Sequence, residues 1–137
     1  MTLQPLLQAP VVVQAHVATV LLALGVGTWL LFFSRKGSPL HRAFGVLFVT
    51  AMVSTALIAL FIHRRAPDSA IFGLSRTHLL IPVVLFAVWR ALDGVFNGRM
   101  KQHRVWVSGL YFGALVTTGL VNAFEHYGIT HAVFAGP

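Results

Sequence analysis

Residues Val11–Phe33 read VVVQAHVATVLLALGVGTWLLFF, 23 positions in a row without Asp, Glu, Lys or Arg. A helix rises about 1.5 Å per residue, so a run of this length crosses a hydrocarbon layer of about 30 Å. Immediately downstream stands Ser34-Arg35-Lys36-Gly37-Ser38-Pro39, a basic cluster followed by Gly and Pro that stops a helix. No basic segment precedes the stretch, and it is too long for the core of a signal peptide, so it reads as a retained first span.

Three further blocks follow the same pattern. The second predicted span runs from about 43 to 62 and stops at His63-Arg64-Arg65, with the polar turn Ala66-Pro67-Asp68-Ser69 behind it. The third covers about 75–92, where Ser75 or Thr77 supplies a capping hydroxyl and Arg90 and Asp93 mark the polar end. The fourth covers about 105–124, after Asn97-Gly98-Arg99-Met100-Lys101-Gln102. Composition agrees: of 137 residues 57% are hydrophobic and only 9% charged, against about a quarter charged in a soluble domain. The expected fold is therefore all-α, an integral membrane four-helix up-down bundle in a single domain, surrounded by the lipid bilayer.

The formal charge of +7 would point to nucleic acid in a soluble protein. Here the basic residues sit between apolar blocks, where they set topology, and no nucleic-acid partner is expected. Arg35, Lys36, Arg42, Arg90, Arg99, Lys101 and Arg104 flank the first and third linkers, whereas Arg64, Arg65 and Arg76 flank the second and both termini have none. The positive-inside bias then puts the first and third linkers in the cytoplasm and both termini outside. The absence of Cys excludes disulfides, thiolate metal sites, iron–sulfur clusters and thioether-linked haem. The carboxylates Asp68, Asp93 and Glu125 are scattered, so no catalytic pair or triad is visible.

The chain carries an internal repeat. His16 is followed 25 residues later by His41-Arg42, and His78 is followed 25 residues later by His103-Arg104, an offset of 62 between the halves. At that offset Ala51 falls on Gly113, and His63 falls within a residue of His126. The halves, about 11–65 and 73–127, read as two tandem helical hairpins related by a pseudo-two-fold axis along the membrane normal. His16 and His78 then share a depth toward the outer side, and His41 and His103 share one near the inner surface. With neighbouring helices 8–10 Å apart, diagonal helices lie roughly 11–14 Å apart, enough for a porphyrin held by one His from each side.

This spacing makes His16, His78, His41 and His103 candidate axial ligands of haem b, with room for two groups. His63 and His126, at the outer rim, are secondary candidates, and His131 lies in the tail. Pro82 cannot donate to the carbonyl of His78, which predicts a kink where that ligand would sit. The plainer alternatives are that His-Arg at a helix start anchors the chain to lipid headgroups, and that His16 or His78 bonds a neighbouring helix. Gly109 with Gly113, and Ala51 with Thr55 and Ala59, make small-residue rows expected to pack helices closely. Trp29, Trp89 and Trp106 near helix ends are expected interfacial anchors.

Arg35-Lys36-Gly37-Ser38-Pro39-Leu40-His41-Arg42 with Gly45, then Ala51-Met52-Val53-Ser54-Thr55-Ala56-Leu57, Leu74-Ser75-Arg76-Thr77-His78-Leu79-Leu80, His103-Arg104 and Gly109-Leu110-Tyr111-Phe112-Gly113 resemble a bacterial four-helix membrane family known as domain of unknown function 2306. The resemblance covers about residues 12–122, although the family often has Pro where Thr77 stands. It implies a multi-pass protein of the bacterial cytoplasmic (inner) membrane and brings no activity with it. The arrangement also looks like that of di-haem membrane cytochromes of the b561 type, an analogy of fold and ligand placement. Two functions follow as expectations: a b-type haem protein passing electrons across or within the membrane, with quinone as a candidate partner, or a cofactor-free accessory or assembly subunit of a larger membrane complex.

Overall fold

The computed structural model describes residues 3–62 and 76–120. Its elements, in order, are a short helix α1 (Gln4–Leu7), α2 (Val11–Phe32), α3 (Pro39–Ala59), a 3-10 turn (Arg76–Leu79), α4 (Leu80–Phe96), α5 (Met100–Gly109) and a π-helical segment (Leu110–Thr117) that continues α5. No strand occurs among the described residues, so the all-helical expectation holds there. The polar turn after the second span, the capping candidate Ser75 and the end of the fourth span lie outside them, while Thr77 stands in the 3-10 turn.

Helix boundaries differ from expectation where caps outweigh hydropathy. α3 starts at Pro39, four residues before the predicted 43, because the Ser38 hydroxyl accepts the His41 amide at 3.1 Å and Pro39 occupies the first helical position. α2 ends close to its predicted limit of 33: Lys36 Nζ donates to the carbonyls of Leu30 and Leu31 in its last turn, and Gly37 at φ +80° turns the chain back. α4 continues past 92 to Phe96, and α5 begins at Met100 where 105 was expected. Polar side chains here extend the helices instead of ending them, and Gly98 at φ +68° makes the turn.

The expected kink at Pro82 is corrected. Pro82 stands in the first turn of α4, where its missing N–H would have had no helical acceptor, so it starts the helix, and His78 belongs to the preceding 3-10 turn.

The helices pack in a closed order: α2 against α3, α3 against α4, α4 against α5, and the π segment back onto α2. Ala23, Val26 and Leu30 of α2, Phe48, Ala51, Met52 and Ala56 of α3, residues of α4 and Leu110, Tyr111 and Leu115 form one buried cluster. Gly27 fixes the approach of α2, since a Cβ there would stand 2.8 Å from both Phe48 Cε2 and Tyr111 Cδ2. The two small-residue rows diverge. Ala51 is buried in the helix interface, as expected, whereas Gly109 and Gly113 are exposed and a Cβ on either would meet nothing within 4 Å. Their expected role in packing α5 within this chain is thus not what they do.

Outside the cluster, large apolar side chains point away from the protein, among them Leu21, Val46, Val83, Phe86 and Phe112, each half exposed or more. Among the described residues no polar or charged residue is buried. Helices this apolar on the outside need lipid chains as solvent. α2 and α3 are long and apolar enough to cross a membrane.

Candidate histidine site

The histidines that open the second helix of each hairpin are both held by the first. His41, in the first turn of α3, places Nδ1 2.7 Å from the Ser34 hydroxyl at the end of α2. Ser34 in turn donates to the carbonyl of Leu30 at 2.8 Å. With its single hydrogen so committed, the hydroxyl accepts, and the proton between it and His41 belongs to Nδ1. In the first turns of α5, His103 places Nδ1 3.0 Å from the carbonyl of Ala91 on α4. A carbonyl only accepts, so Nδ1 again carries the proton. His16, five residues into α2, makes the same bond to the carbonyl of Thr55 on α3 at 3.2 Å, beside a Thr55–Thr19 hydroxyl contact of 2.8 Å.

In their neutral form all three rings are therefore fixed in one tautomer, with Nδ1–H tied to an acceptor on the adjacent helix and the lone pair on Nε2. His41 and His103 also lie within electrostatic reach of one another. His78 sits in the 3-10 turn that leads into α4 and is half-buried. His63, His126 and His131 lie outside the described residues. Among the described residues no three His, Asp or Glu side chains gather into a cluster that would hold a bare metal ion.

Around this end the other polar groups are structural. Asp93 accepts from Arg99 Nη2 at 2.6 Å, Gln102 Nε2 at 3.0 Å and Asn97 Nδ2 at 2.8 Å, and Arg90 Nη1 stands 3.6 Å away. It balances both arginines. The bond from Gln102, then the charges of Arg99 and Arg90, hold its carboxyl below the usual range. Trp29 packs on Phe44, ring centres 4.8 Å apart. One part-buried pair escaped the sequence reading: Tyr111 donates to Thr28 Oγ1 at 2.6 Å, and Thr28 donates to the carbonyl of Leu24 at 2.7 Å. A hydroxyl at mid-span in an apolar helix was the available signal.

A family model described as "Predicted membrane protein (DUF2306)" matches residues 13–136. The chain belongs to the DUF2306 family. The match includes all the histidines named above, and membership makes this a predicted membrane protein in contact with the lipid bilayer. No curated protein and no solved structure matches the DUF2306 chain.

Proposed function

We propose that the protein is a four-span membrane protein of the bacterial inner membrane, built from two tandem hairpins, that binds b-type haem and carries electrons across or within the bilayer. The observation that carries this reading is the tautomer shared by His16, His41 and His103. An axial imidazole ligates through one nitrogen while the other donates to a carbonyl, carboxylate or hydroxyl that fixes the ring, and each of these three histidines has that second bond in place. The donor set thus fits the group. His41 with His103 would hold one haem at the linker end, and His16 with His78 a second toward the other side. Haem b supplies a one-electron couple when bound, with quinone or a redox subunit of a larger membrane complex as the exchanging partner. The protein's contribution is to orient the imidazoles and to exclude water with the apolar cluster between the two levels.

Two parallels support the repeat. Gly37 and Gly98, both at positive φ, turn the two linkers a few residues before His41 and His103. Each of those histidines is then tied back to the last turns of the preceding helix.

Protein purified in mild detergent should show a Soret band and a reduced alpha band. Replacing His78 by Leu should remove or convert to high spin one haem and leave the other. No Soret band after expression with haem supplied would return the protein to the accessory-subunit reading. A spectrum that survives His78→Leu and collapses with changes at His63 or His126 would overturn the pairing.

A further inference from the structure

At the linker end of α5 a shallow cleft of about 610 Å³ opens to the outside, with a cationic rim of Arg99 and Lys101 and an apolar wall of Met100, Val105 and Trp106. We propose that this cleft is a binding site for the headgroup and first acyl carbons of an anionic phospholipid. The inference rests on the reading that the chain spans a bilayer, and it is independent of haem.

Charge complementarity is the first support. Arg35, Lys36, Arg42, Arg90, Arg99, Lys101 and Arg104 gather at this end, where among the described residues Asp93 is the sole carboxylate. Asp93 is already engaged by Arg99, Arg90, Gln102 and Asn97. Lys101 and Arg104 are exposed and pair with no described group, and Arg99 keeps further guanidinium donors beyond the one it gives to Asp93. Basic pockets of this kind at a membrane surface take up anionic headgroups.

The wall decides between a lipid and a free anion. Val105 is 61% exposed and Met100 45%, apolar surface that inorganic phosphate would leave facing water and that acyl carbons would cover. Trp106 is held in place by Phe86, edge to face with ring centres 5.6 Å apart, and by Arg90, whose guanidinium lies 5.9 Å from its ring centre. A fixed indole beside two cations suits the boundary between headgroup and chain.

The test uses the full chain, delipidated in mild detergent and titrated with phosphatidylglycerol or phosphatidylcholine while bound lipid is counted by native mass spectrometry. Phosphatidylglycerol should be retained preferentially, and Lys101→Gln should weaken that retention about fivefold. Arg35→Gln, at the same end on the other hairpin, should change it little. Equal retention of the two lipids, or equal loss in the two variants, overturns the site, since either result means only diffuse charge attraction. Displacement of the lipid by millimolar inorganic phosphate also overturns it, in favour of a soluble anion. A chain that stays monodisperse without detergent would instead refute the membrane reading itself, so the two failures are distinguishable.

Discussion

Between α2 and α3 the chain reverses on neutral and cationic groups: Lys36 caps the helix it leaves, Ser38 caps the helix it enters, and Ser34 backs His41. Between α4 and α5 the same reversal is organised around the Asp93 carboxylate, and His103 is backed directly by the Ala91 carbonyl. The second hairpin also turns more tightly. A Cβ on Gly94 would stand 2.7 Å from the His103 amide nitrogen, whereas Phe32, the residue 62 positions earlier, is 61% exposed. Two linkers that each lead into a helix opening on a histidine therefore depend on different chemistry and should fail under different conditions.

The largest contrast is expected at that corner. Gly94→Leu forces a side chain into backbone that cannot rotate away, and should cost about 3 kcal/mol or prevent folding. Phe32→Ala, which gives up edge contacts with Tyr111 and Phe112, should cost about 1 kcal/mol. Chemical unfolding of both variants in detergent, followed by circular dichroism, measures the gap, and equal losses would contradict the difference between the hairpins.

Acid should come next and act on one side only. Because the folded Asp93 carboxyl titrates below its unfolded value, its contribution is complete above the ordinary carboxylate range and is lost as pH falls through the folded value. Hydrogen exchange should show the α4–α5 turn opening at low pH while the α2–α3 turn stays protected. Asp93→Asn should give a turn whose protection no longer changes over that interval.

The smallest effect belongs to Ser34→Ala. It removes the acceptor of the His41 ring proton, a loss of about 1 kcal/mol, and frees the ring to exchange tautomers. Nitrogen-15 spectra should show Nε2–H appearing at His41 and no change at His103, whose acceptor is a main-chain carbonyl. A matching change at His103 would mean that the two rings are held by one shared network.

The apolar blocks were legible because each is a run long enough to stand out from the polar linkers around it. Helix ends were less so. Hydropathy placed the start of α3 at 43 and α5 at 105, while Ser38, Pro39 and the Asp93–Gln102 bond draw helix out to Pro39 and Met100. The carbonyls of Thr55 and Ala91 that fix His16 and His103 leave no mark in the sequence, since every residue carries one. Gly109 and Gly113 misled because a small-residue row shows only that an approach is possible, not from which side. The π segment leaves no mark either, since an apolar run does not distinguish a π ladder from an α ladder.

A π turn holds one residue more than an α turn. The widened ladder runs from Leu110 to Thr117, where the Thr117 hydroxyl reaches the carbonyl five residues back, that of Phe112, at 2.7 Å. On the proposed repeat, His41 and His63 are 22 residues apart, but His103 and His126 are 23 apart. On that reading the widened ladder is where the surplus residue of the second half would be taken up. On that repeat the segment would act as a length buffer, taking up a single inserted or deleted residue within its widened ladder.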